Sequence, residues 1–63
     1  MPNIIIPISN GFEEIEAISI IDICRRANIK VTIAGVEALE ITGAHGIKII
    51  SDEKIENISS DDF

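Results

Sequence analysis

Early in the chain, the apolar run Ile4-Ile5-Ile6-Pro7-Ile8 gives way across Asn10-Gly11 to an acidic segment containing Glu13, Glu14 and Glu16. A block of β-branched isoleucines suits a strand buried on both faces, as in a parallel sheet. Asn-Gly is a turn signal that tolerates a positive φ. Acids in a first helical turn complement the positive end of the helix dipole. The chain must therefore pass from strand to helix within a few residues. Open α/β sheets place their chemistry at such junctions, outside the carboxyl ends of the strands.

Around that junction the pattern predicts a strand over 3–8, a helix over 13–27 and a second strand over 29–34. Together they make a βαβ unit of the usual size for a right-handed crossover. Pro7 donates no ladder hydrogen bond, which places it at the strand end or at a bulge. Arg25 and Arg26 suit the negative end of the helix dipole, and Asn28 suits a left-handed residue just past the helix. Ala17, Ile20, Ile21, Cys24 and Ala27 follow helical spacing and are expected to pack on the sheet. Ile15, Ile18 and Ile23 lie off that stripe, so the helix should be covered on a second side, by another subunit or a further segment. Residues 36–39 read as a turn or an irregular extension. Short strands over 40–42 and 47–50 flank the turn Gly43-Ala44-His45-Gly46 and are expected to form a hairpin at the sheet edge. Beyond it, 51–54 is polar, Ile55 and Ile58 are expected to anchor a loop or short helical turn, and 59–63 reads as a tail or the approach to another strand. Phe63 is expected to dock against a partner or a continuation.

At 63 residues the chain is one small domain at most, and chains of that size usually need a partner, a metal or disulfides to be comfortably stable. Its 46% hydrophobic content is that of a core-former, not of a disordered segment. A net charge of −6, with eleven acids against five bases, argues against nucleic-acid binding. One cysteine and one histidine leave no internal disulfide and no zinc-type spacing. An unbridged, thiol-poor chain fits a reducing, cytoplasmic setting. The apolar runs are far shorter than the roughly 20 residues that span a bilayer, and no basic leader precedes them. The single Gly11 after the first strand does not make a dinucleotide or P-loop motif. One βαβ unit and a hairpin do not complete a doubly wound sheet, so the pattern reads as a fragment or as half of an obligate assembly.

Five positions are candidates for chemistry, and each has a plain structural reading. Glu16 is either one more dipole partner or a carboxyl facing a cleft and poised for proton transfer. His45 is either a solvated loop residue or a general base. Arg25 and Arg26 either serve the helix end or reach an interface or a substrate carboxylate. Cys24 lies on the inward stripe, far from the helix start that would acidify a thiol, and reads as core. The dipole accounts for Glu13 and Glu14 without further roles.

Three blocks go beyond composition: Ile8-Ser9-Asn10-Gly11-Phe12-Glu13-Glu14-Ile15-Glu16-Ala17, then Asp22-Ile23-Cys24-Arg25-Arg26-Ala27-Asn28-Ile29-Lys30-Val31-Thr32-Ile33-Ala34-Gly35, then Thr42-Gly43-Ala44-His45-Gly46-Ile47. In this order and spacing they resemble the N-terminal third of the ThiJ/PfpI superfamily, in the branch of the Parkinsonism-associated protein deglycase. The resemblance covers residues 1–63 as part of one domain. It implies a flavodoxin-like α/β sandwich of the class I glutamine amidotransferase type, here incomplete, with a homodimer formed through the first helix. It also implies a site centred on a cysteine at a sharp strand-to-helix turn, with Glu16 supporting that thiol. Activities attributed to the superfamily include glyoxalase III, deglycation, chaperone action and proteolysis, and many bacterial members carry a thiazole-biosynthesis label. By position, Ile15, Ile18 and Arg26 fall near the pocket or dimer contact, and His45 falls where relatives often place an arginine. Neither cofactor nor metal is implied. The nucleophilic cysteine has no counterpart here, since Cys24 does not occupy its position. The chain alone is therefore expected to be inactive and to need a complementary C-terminal segment or second polypeptide. The alternative is a non-catalytic assembly module.

Overall fold

The computed structural model describes residues 2–58. Strand β1 (Asn3–Ile8) leads through the Asn10-Gly11 turn into helix α1 (Glu14–Arg26), which returns to strand β2 (Lys30–Gly35). β1 and β2 pair in parallel over six residues, from Asn3 opposite Lys30 to Ile8 opposite Gly35. The predicted βαβ unit is thus present, with β2 displaced by one residue from its expected span. Glu13 stands at the helix start in extended conformation, and Asn28 after its end has φ 63, in the left-handed region. Gly11 at φ 89 supplies the conformation that the strand-to-helix turn requires.

Pro7 lies inside β1, opposite Ala34, and not at a bulge or the last position. Pairing with β2 uses the carbonyls of Pro2 and Ile8, which accept from Lys30 N–H and Val36 N–H. Backbone groups alternate in direction along a parallel ladder, so even-numbered residues of β1 face β2 and Pro7 faces the other edge. Its missing donor costs the β1–β2 ladder nothing.

The remaining strands depart from expectation. β3 (Glu40–Thr42) and β4 (Lys48–Ile50) form an antiparallel hairpin, but as a separate two-stranded sheet and not as the edge of the parallel one. The polar segment after it contributes a two-residue strand, β5 (Glu53–Lys54), which pairs parallel to β2 and gives the order β1-β2-β5. Asp52 prepares that pairing: its carboxylate accepts from Ile33 N–H at 2.8 Å, and its own N–H donates to Ile33 C=O at 2.9 Å. A 3-10 turn over Ile55–Asn57 follows. Ile55 is 38% exposed and does not anchor that turn, whereas Ile58 is half-buried. The expected docking of Phe63 and the reading of 59–63 lie outside the described residues.

Ile8, Ile21, Val31 and Ile41 form the buried core, with Ala17, Cys24, Ile33 and Ile49 packed against it. Ile41 brings the hairpin into that core and is fully buried. The inward face of α1 differs from the predicted stripe, because Ile20 is 53% exposed and Ala27 is also exposed. Glu14, Ala17, Ile21 and Cys24 are the buried or half-buried residues of the helix, spaced by three and four. The off-stripe isoleucines 15, 18 and 23 are open to solvent. No helix among the described residues is long and apolar enough to cross a membrane.

Trimming Ile41 to Val removes one methylene from a fully buried side chain and should lower unfolding stability by about 1 kcal/mol. Urea denaturation followed by circular dichroism measures it, and an unchanged midpoint would mean that the hairpin is not part of the core.

Candidate functional site

The buried stripe of α1 begins with a charged residue. Glu14 is 6% exposed, and the hairpin turn closes over its carboxylate. Its Oε2 accepts from His45 N–H at 2.7 Å and from Ile47 N–H at 3.3 Å, and its Oε1 lies 3.0 Å from His45 Nδ1. These partners come from the turn between β3 and β4, more than thirty residues further along the chain. Three backbone-donor contacts align the two segments alongside: Gly11 N–H to Thr42 C=O, Thr42 N–H to the Asn10 side chain, and Ala44 N–H to Phe12 C=O.

Close approach at this point depends on Gly43. A methyl group there would lie 2.5 Å from the Glu14 carboxyl carbon, well inside contact distance. Burial alone would push the Glu14 carboxyl up, but the His45 side chain and the backbone donors, including His45 and Ile47 N–H, outweigh it and hold the pKa down at about 2. His45 is shifted the other way, first by its hydrogen bond to Glu14 and then by the charges of Glu14 and Glu13.

The structure brings His45 against Glu14 and leaves Glu16 on the exposed side of the first turn. Ile15 (77% exposed) and Ile18 (42%) lie beside Glu16 on the solvent side of the helix. Arg26 is at the far end of α1, roughly 15 Å along the axis from Glu16 at 1.5 Å per residue, where it pairs with Asp22 at 3.1 Å. Exposed pairs of that kind contribute little to stability. Arg25 instead reaches across to Asp52 at 3.7 Å and to the Val31 carbonyl at 3.4 Å, tying the helix end to β2. Cys24 is half-buried against the core, consistent with a packing role.

Glu14 is the residue that sequence reasoning missed. Counting back from Ala17 by three residues and from Ile21 by seven places it on the inward face, a signal independent of the helix dipole. Glu13, Glu14 and His45 also bring one metal-ligating atom each to within 4.8 Å of one another. The Glu14 oxygens are already engaged by N–H donors, so this is a hydrogen-bonded pair and not an open ligand set.

The model of the DJ-1/PfpI family matches residues 2–63. The chain belongs to the DJ-1/PfpI family. It is 38% identical over 63 residues to Protein DJ-1 homolog A of Arabidopsis thaliana, covering 98% of this chain and 16% of that protein. The crystal structure of VC2308 protein superposes with a TM-score of 0.92 at 32% identity, covering 100% of this chain and 33% of that one. The oxidized DJ-1 of Toxoplasma gondii gives a TM-score of 0.86 at 32% identity over 89% of this chain and 31% of its own. The chain thus spans about a sixth of the curated relative and a third of the solved structures. The flavodoxin-like reading of the βαβ unit holds.

Two outcomes follow for the Glu14 contact. Gly43→Ala should expel the turn from the carboxylate, and amide exchange at His45 and Ile47 should lose its protection. Retained protection would show that the clearance is not needed. For pH, the lowered carboxyl stabilises the fold above its unfolded value of 4.5, and that contribution is lost as pH falls toward about 2. The raised imidazole stabilises below 6.5 and loses its contribution as pH rises through its folded value. Amide protection in the turn should therefore peak between these limits.

Proposed function

We propose that this chain contributes Glu16 and the exposed face of α1 to a cysteine-dependent DJ-1/PfpI site of the glyoxalase III or deglycase kind. The nucleophilic thiol in this reading is carried on a segment other than residues 1–63. Glu16 acts as its neighbour, accepting or sharing a proton so that the thiol is reactive at neutral pH. The family match carries the reading, and the position of Glu16 supports it: this carboxylate is exposed on a first helical turn whose inner side is fixed by Glu14. A side chain held on a rigid turn and open on its outer side is suited to complete a site with another segment.

The uncovered surfaces support the proposed partners. Ile15, Ile18 and Ile23 present an apolar face at 77%, 42% and 65% exposure. Burying such a face gives roughly 25 cal/mol per Å² of apolar area, so a second copy pairing through α1 is the proposed assembly. Ile15, Ile18 and Arg26 would lie at that contact. The partners are a complementary segment of the same domain and a second copy, with a reducing, cytoplasmic setting.

In the polypeptide or assembly that carries the thiol, Glu16→Gln should slow iodoacetamide alkylation of the nucleophile at neutral pH by roughly tenfold, in line with the loss of a proton-transfer partner. Methylglyoxal turnover should fall with it. Unchanged alkylation would remove Glu16 from the mechanism, and normal assembly without any turnover would favour the non-catalytic module.

A further inference from the structure

The contact between Glu14 and His45 has a directionality that family membership does not supply. An ionised carboxylate offers only lone pairs, so the hydrogen in the 3.0 Å contact between Oε1 and Nδ1 belongs to the imidazole. Glu14 cannot turn away to suit another tautomer, because its Oε2 is fixed by the backbone N–H groups of His45 and Ile47. The carboxylate is 7% exposed, whereas the imidazole is 75% exposed. No described residue hydrogen-bonds Nε2, and the flanking Ala44 and Gly46 are small, exposed residues that leave its approach open.

We propose that Glu14 and His45 form a carboxylate–imidazole dyad, in which Glu14 fixes the Nδ1–H tautomer and leaves Nε2 as an exposed nucleophile toward small, neutral, activated acyl compounds. A buried carboxylate that orients one imidazole nitrogen so that the other can react is a recurring arrangement in acyl transfer. Neutral substrates are favoured because the Glu13 and Glu14 carboxylates face the ring and the chain carries a net charge of −6. On the hairpin side, the nearest cation in sequence, Lys48, is engaged by Glu40 at 3.7 Å.

The step balances without a cofactor. The Nε2 lone pair attacks the acyl carbon, the bond to the leaving oxygen breaks, and an alkoxide or phenolate departs. The acyl-imidazolium keeps its Nδ1 hydrogen against Glu14. Water then adds to the acyl carbon and gives up one proton to solvent, the C–N bond breaks with its electron pair returning to Nε2, and the carboxylic acid is released. Since Glu14 and Glu13 stabilise the protonated ring, Nε2 becomes available only as pH rises through a raised imidazole value.

Nitrogen-resolved NMR on the 63-residue chain, above the imidazole titration, should find the ring hydrogen on Nδ1 and a bare Nε2. With p-nitrophenyl acetate at pH 8, p-nitrophenolate release should be roughly tenfold faster than from His45→Gln, and mass spectrometry should find a transient acetyl group on His45. Glu14→Gln should lose both the tautomer preference and the rate. If that variant loses the hairpin, the wild-type tautomer and the His45→Gln comparison still decide. Hydrogen on Nε2, or release no faster than from His45→Gln, would overturn the dyad.

Discussion

A carboxylate removed from water at the start of a helix needs donors, and in this chain the donors come from a hairpin turn far along the sequence. Glu14 accepts from two backbone N–H groups and one imidazole, all between His45 and Ile47. Breaking such a buried charged group from its partners costs more than the hydrogen bonds gain, because the charge would remain desolvated. The interaction therefore works as a positional lock: the hairpin belongs over the first turn of α1 or the carboxylate is stranded. Gly43 lets the lock close, and Asn10, Gly11 and Phe12 align the backbones beside it.

The rest of the architecture depends on this placement. The hairpin is a separate two-stranded sheet with no ladder to the parallel one, so its attachment comes from the lock, from Ile41 in the core and from backbone links such as Gly11 N–H to Thr42 C=O. With the inner side of the first turn fixed, Glu16 and Ile15 are held outward on the opposite side. The same helix thus has a structural carboxylate and a free one two residues apart, and only the free one is available to a further segment or a second copy.

Much of the fold was legible in the sequence for local reasons. β-branched runs, the Asn-Gly turn, acids before bases along the helix and Asn28 past its end each specify backbone without tertiary help. The superfamily was legible too, because the acidic block and the Arg25-Arg26 block keep a fixed order and spacing. What stayed hidden was set by long-range contact. The pairing of Glu53 with β2 rests on two residues and on an aspartate that mimics a strand. Ile20 is apolar yet exposed, since its face of α1 has no covering element among the described residues. Glu14 was masked by a sufficient local explanation: an acid in a first helical turn needs no further reason, and its inward position appears only when the stripe is counted back from Ile21.

The measurement that bears most directly on this account is an NMR titration of the Glu14 side-chain carboxyl carbon in the intact chain. Closure of the hairpin over an ionised carboxylate predicts a midpoint at about 2, with the His45 and Ile47 amides shifting together with it. A midpoint near the ordinary 4.5, uncoupled from those amides, would contradict it.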